Sequence, residues 1–169
     1  REVANKCGWG THPGPDGFKL DWLKQIFGVD NPSEELQHTY QDFADWFNRI
    51  LAGHMTPSGR ERFFAATAIP LMKEDKTPRP IACGEAIRRF LAKVVLHTEK
   101  AHLATTLSPQ QFAICTRGGL EAMIHGVNIL RSCSADTVIT SLDFANAFNP
   151  VSRAQAFEEV KTHFPGLAR

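Results

Sequence analysis

Asp143 closes the run Asp136-Thr137-Val138-Ile139-Thr140-Ser141-Leu142-Asp143. That β-branched run reads as a strand. On a strand, Val138, Thr140 and Leu142 share one face, and Ile139, Ser141 and Asp143 share the other. A carboxylate at the end of a rigid element, with the Phe144 carbonyl one residue later, offers the hard oxygens that Mg²⁺ takes. Capping the turn that follows is the plainer reading of such a carboxylate, and the strand alone does not displace it. A second group is cationic. Residues 60–100 hold nine basic and five acidic side chains, against five and eight in residues 1–59 and five of each in residues 101–169. Within that basic stretch, Lys73 and Arg79 flank a turn. Lysine is a point charge and arginine a planar fork, and both suit phosphate. A solvated charged face is the plainer reading of such an excess, and Lys76 is an equally good occupant of the turn.

The elements that would position these groups follow from periodicity. Gly8-Trp9-Gly10-Thr11-His12-Pro13-Gly14-Pro15-Asp16-Gly17 is turn chemistry throughout and predicts a loop. A short helix is expected over residues 20–27, ended by Gly28. Asn31-Pro32-Ser33-Glu34 predicts a helix start with Asn31 as the cap and Pro32 in the first turn. Leu36, Tyr40, Phe43, Phe47 and Ile50 then make one apolar stripe, ended by Gly53. Residues 66–72 and 79–82 predict two short strands around a basic tip. A helix from about Gly84 turns Ile87, Leu91, Val94 and Val95 inward, with Arg88, Arg89 and Lys93 elsewhere, and Ser108-Pro109 breaks the chain. Another helix from about Gly119 is expected to bury Leu120, Met123 or Ile124, Val127 and Leu130. Ser152-Arg153-Ala154-Gln155 is a capping box that opens a last helix carrying Phe157, Val160 and Phe164. Many helices with few strands make the fold class α+β.

Composition bounds the rest. The chain has 169 residues, 43% hydrophobic and 22% charged, which fits one soluble domain with enough apolar surface for a core. No apolar run approaches the ~20 residues of a membrane span. Cys7, Cys83, Cys115 and Cys133 are far apart and form no C-x-x-C pair, so reduced intracellular thiols are expected rather than a disulfide framework. Arg1-Glu2-Val3-Ala4 shows no signal core and no initiator Met, the look of a piece of something longer or a processed product. The expected compartment is intracellular, nucleus or cytoplasm.

Several blocks in order carry a resemblance. They are Pro13-Gly14-Pro15-Asp16-Gly17; Ile69-Pro70-Leu71-Met72-Lys73 with Arg79-Pro80-Ile81; Phe90 to Leu96; Leu107-Ser108-Pro109-Gln110-Gln111-Phe112 followed by Arg117-Gly118-Gly119; and Leu142-Asp143-Phe144-Ala145-Asn146-Ala147-Phe148. Together they resemble the fingers and early palm of reverse transcriptases, RNA-directed DNA polymerases, especially those of non-LTR retrotransposons. Each block is weak alone; their order is the specific signal. The resemblance covers the chain from about residue 12 to its end. It implies part of a right-hand polymerase fold, with helix-rich fingers plus the first palm strand and helix. The implied division is a leading loop and short helix over residues 1–32, fingers over 33–136 and the start of the palm over 137–169.

The resemblance also implies roles. Asp143 and the Phe144 carbonyl would bind catalytic Mg²⁺ or Mn²⁺. Phe148 would be the steric gate that excludes a 2′ hydroxyl by a clash. Lys73 and Arg79 would grip the triphosphate. Arg88, Gln111, Phe112, Arg117 and Gly118 would meet template or backbone. Implied partners are an RNA template, a DNA primer or RNA–DNA hybrid, and deoxynucleotide triphosphates, with the remainder of palm and thumb supplied by a parent protein. One departure counts heavily: the family's second, Asp-Asp metal motif has no counterpart anywhere in this sequence. A two-metal site is therefore incomplete, and the chain by itself is expected to be inactive. Asn149-Pro150 is a milder departure. A non-catalytic nucleic-acid-binding or scaffold relic of a retroelement is the alternative.

Overall fold

The structure, a computed structural model, describes every residue except Asp75, Ser134, Ala135, Ala145, Asn146, Phe148, Asn149 and Arg169. It mixes helix with a single two-stranded antiparallel sheet among the described residues. The chain divides into two compact units, residues 1–97 and 98–168. Among the described residues no helix is long and apolar enough to cross a membrane, and all four cysteines are free.

The first unit holds α1 (Glu2–Asn5), α2 (Leu20–Phe27), α3 (Glu34–Leu51), α4 (Pro57–Phe64), β1 (Ala66–Met72), β2 (Pro78–Gly84) and α5 (Ala86–Thr98, whose last residue crosses into the second unit). Its core is Ala4, Cys7, Leu20, Leu23, Ala86, Phe90 and Leu91, with Phe27, Phe43, Phe47 and Ile50 packed against it. The predicted α3 stripe is realised: Leu36, Tyr40, Phe43, Phe47 and Ile50 are each half-buried. Phe27 stacks on Phe90 at 5.7 Å between centroids and meets Phe43 at 4.8 Å. The Tyr40 hydroxyl donates to the Ile26 carbonyl at 2.6 Å, tying α3 to α2. Phe90, absent from the inward set read from the sequence, is one of the most buried large side chains.

The start of α3 lies two residues later than the sequence suggested. Ser33 is the N-cap, and its hydroxyl accepts from the Leu36 N–H at 3.3 Å. Asn31 instead adopts φ 55°, a left-handed conformation that Asn tolerates. The end of α3 is as expected. Gly53, at φ 81°, donates to the Ile50 carbonyl and His54 donates to that of Arg49, which is a Schellman closure. The helix α4 was not anticipated, although Thr56 caps it and Pro57 occupies its first position.

The second unit holds α6 (Lys100–Leu107), α7 (Gly119–Cys133), α8 (Arg153–His163) and a 3-10 turn at Pro165–Leu167. Ser152 caps α8 by accepting from the Gln155 N–H at 3.3 Å. Two expectations fail here. Residues 136–143 form no strand; a strand needs a partner backbone to satisfy its N–H and C=O groups, and among the described residues none pairs with this segment. Val138 and Leu142 on one face stand 87% and 77% exposed and Ile139 on the other 48%, so neither face of the expected strand is covered. The α7 helix does begin at Gly119, but Leu120, Met123, Ile124 and Leu130 are exposed and only Val127 is half-buried. A 3.6-residue stripe dictates which side a helix would bury, and burial itself requires a facing element.

Candidate functional site

The β1–β2 hairpin carries the cationic pair. Its register sets Ile69 opposite Ile81, Leu71 opposite Arg79 and Met72 opposite Pro78. The Lys73 N–H donates to the Thr77 carbonyl at 3.0 Å, and the Lys76 N–H donates to the Lys73 carbonyl at 3.0 Å. Lys76 takes φ 63° in this turn. Pro70 and Pro80 face each other across the ladder. Proline lacks the N–H that a central strand needs, so the pair suits a two-stranded sheet with two free edges and blunts those edges against further pairing. Both strands are largely exposed.

At the tip, Lys73 and Arg79 line one shallow concavity of about 570 Å³ with Leu71, Met72 and Glu74. Lys76, the other cation of the turn, is not in that lining. Neither Lys73 nor Arg79 has a side-chain hydrogen bond or ion pair among the described residues. One fork and one point cation line this hollow beside the single carboxylate of Glu74, a net positive lining that can take an anion with several oxygens.

The catalytic-aspartate segment belongs to the second unit. Asp143 and Phe144 are exposed, on backbone that is neither helical nor paired. Phe148, the expected sugar gate, lies outside the described residues. Among the described residues no three His, Cys, Asp or Glu side chains gather as a metal would require. The oxygens expected there are the Asp143 carboxylate and the Phe144 carbonyl, both on this exposed backbone.

Gln111, Phe112, Arg117 and Gly118 fall in one irregular turn ahead of α7. The Gln111 Oε1 accepts from the Ala113 N–H at 2.7 Å and so folds the turn on itself. Gly118 has φ 65°, which favours glycine, and Gly119 lies so close to the Phe112 carbonyl that a Cβ would strike it. Both glycines thus have a local backbone reason to be there. Arg117 is exposed.

Arg88, in the first unit, is half-buried, its guanidinium 5.8 Å from the centre of the Phe64 ring. Its neighbour Arg89 donates to the His12 carbonyl at 2.5 Å. Arg88, the expected template contact, and Arg89 thus tie α4 and the leading loop to α5.

The sequence reading passed over Glu85. It stands at the start of α5, where its carbonyl accepts from the Arg89 N–H, and it is only 8% exposed. Gly14 of the Pro13–Gly17 block lies flush on it: a Cβ on Gly14 would come within 2.6 Å of the Glu85 Cα and Oε2. The Asp16 N–H donates to Glu85 Oε1 at 3.3 Å, and Oε2 has no partner. Burial first, then the neighbouring Asp16 carboxyl, pushes the Glu85 carboxyl up to about 7, against the pull of Arg88. A glutamate directly before a helix was visible in the sequence; its burial under a loop some seventy residues earlier was not. Compared with known proteins, the chain matches no family model, no curated protein and no solved structure.

Proposed function

We propose that the chain is part of a reverse transcriptase domain of the non-LTR retrotransposon type, serving template-directed DNA synthesis from RNA. The observation that carries the reading is the hairpin: Lys73 and Arg79 share one hollow at its exposed tip. Those are the two residues for which the ordered sequence blocks call for a triphosphate grip. On this reading the hairpin holds the phosphates of an incoming deoxynucleotide, Asp143 and the Phe144 carbonyl contribute oxygens to Mg²⁺ or Mn²⁺, and Phe148 screens the sugar. When bound, the metals would stabilise the attacking and leaving oxygens of nucleotidyl transfer. Gln111, Phe112, Arg117 and Gly118 contribute contacts to template, and Arg88 adds positive potential beside its packing role.

A second reading is favoured by the lone carboxylate. The sequence contains no Asp-Asp pair, and among the described residues Asp143 belongs to no group of three metal-ligating side chains. A non-catalytic nucleic-acid-binding or scaffold relic of a retroelement accounts for that equally well. Both readings expect no Mg²⁺-dependent primer extension from this chain alone, and synthesis by it would refute the claim that its metal site is incomplete.

The deciding experiment is titration of an RNA–DNA hybrid, with and without deoxynucleotide triphosphate, at several salt concentrations. Weak, strongly salt-dependent binding is expected, with a shallower salt slope for the Lys73→Ala/Arg79→Ala variant. Triphosphate that strengthens hybrid binding in a Lys73- and Arg79-dependent way supports the polymerase reading over the relic. Affinity and slope unchanged by the double substitution would count against both.

A further inference from the structure

A cleft of about 720 Å³ lies wholly within the first unit, between the C-terminal part of α3, α4, the Pro15-Asp16 loop and the start of α5. That volume suits a small organic ligand. Its lining is mixed in a specific way. Trp46 and Phe63 supply flat apolar surface, and Trp46 is 40% exposed although such a large ring is normally covered. Arg49 and Arg62 supply two positive charges from two different helices. Neither guanidinium has an ion pair or hydrogen bond among the described residues. Asp16 and Glu85 supply carboxyls from the loop and the α5 start. Asp16 Oδ1 accepts from the Phe18 N–H at 2.9 Å and the same carboxyl also meets that of Glu85, and the lone pairs a carboxylate keeps beyond these contacts can accept from a ligand. Glu85 stands behind it, nine-tenths buried and with one oxygen unpartnered.

Arg49 in the last turn of α3 also suits the negative end of that helix. That plainer role does not account for Arg62, which lines the same cleft from α4. Cations without partners call for an anion; flat rings call for a flat body; a carboxylate acceptor calls for an N–H donor on that body. Few common ligands carry all three. We propose that this cleft binds a nucleotide, with the base on Trp46 and Phe63, its N–H edge toward Asp16, and its phosphate on Arg49 and Arg62. The site is separate from the hairpin hollow and does not depend on the polymerase reading. The nucleotide is either free or the 5′-phosphorylated end of a strand, since the chemistry recognised is the same.

Tryptophan fluorescence of the full chain, with Trp46→Phe to identify the reporting ring, tests this by titration with a 5′-nucleoside monophosphate. Saturable quenching lost in Trp46→Phe is expected. The matching nucleoside and ribose 5-phosphate should each bind at least about tenfold more weakly, because each lacks one recognised half. An Arg49→Ala/Arg62→Ala variant, checked for native circular dichroism, should lose about tenfold or more in affinity for the nucleotide and nothing for the nucleoside. A 5′-phosphorylated oligonucleotide that binds tighter than the mononucleotide assigns the site to a strand end; equal or weaker binding assigns it to the free nucleotide. Lys73→Ala/Arg79→Ala should leave all of these values unchanged. No saturable response in the millimolar range would overturn the proposal. So would phosphate binding as tightly as the nucleotide, or affinity that follows Lys73 and Arg79 instead; the last result would leave the hairpin reading standing.

Discussion

The two units of this chain are built from similar material and finish differently. In residues 1–97 the amphipathic helices find partners: Phe90 and Leu91 of α5, Leu20 and Leu23 of α2 and the α3 stripe share one core. In residues 98–168 the helices form with equal local fidelity, yet Gly119 is the only described residue that is fully buried. Leu120, Ile124, Ile129, Leu130 and Phe157 lie open. Helix formation is local, since caps and propensity supply it, whereas a core is made only when two apolar faces are brought together. The contrast also separates the functional residues. The Lys73–Arg79 hollow stands on a closed hairpin ladder, while Asp143 stands on backbone with no ladder at all.

The largest expected effect tests that contrast directly. Phe90→Ala should destabilise the first unit by about 3–5 kcal/mol, because it removes a buried ring that two aromatic neighbours surround. Phe157→Ala, at a half-exposed ring in α8, should change stability by no more than about 0.5 kcal/mol. Urea unfolding followed by tryptophan fluorescence and by circular dichroism reads both. Equal losses would mean that the second unit has a core after all.

Two glycines sharpen the comparison. A Cβ at Gly14 would collide with the Glu85 backbone, so Gly14→Ala should destabilise the first unit by about 1–3 kcal/mol. Gly126, inside α7, has open space around it, so Gly126→Ala should raise helicity and stabilise α7 by about 0.5–1 kcal/mol. Opposite signs are the expected result in thermal unfolding; a neutral Gly14→Ala would mean that the loop does not sit on α5 as described.

A further effect is set by pH and belongs to the first unit alone. Glu85 is raised in the folded state, from its ordinary 4.5 to about 7. Between those values the folded chain binds more protons at this site than the unfolded chain does. Its contribution to stability is therefore fully present below about pH 4.5 and lost as the pH rises through about 7. The first unit should be less stable at pH 8 than at pH 5 by about 1 kcal/mol or more from this group. Glu85→Gln should flatten that part of the profile, and an unchanged pH dependence in the variant would remove Glu85 as its source.

Much of the fold was legible in local signals. The Ser152-x-x-Gln155 cap, the Leu20–Phe27 helix with Gly28 after it, the α3 stripe with its Gly53 stop and the hairpin around Lys73 each depend on neighbours a few residues away. Ser33 rather than Asn31 became the cap, its hydroxyl taking the Leu36 N–H while Asn31 turned left-handed. The Thr56-Pro57 start of α4 was there to be read as well.

The sequence by itself determined where helices begin and end, which faces are apolar, and that a lysine and an arginine flank one turn. Only the tertiary structure decided which of those faces is covered. It also decided that Gly14 closes over Glu85, and that Arg49 and Arg62 line one cleft with Trp46. The reason is physical: propensity and capping act over a few residues, whereas burial, desolvation and the convergence of charges depend on residues far apart in the chain.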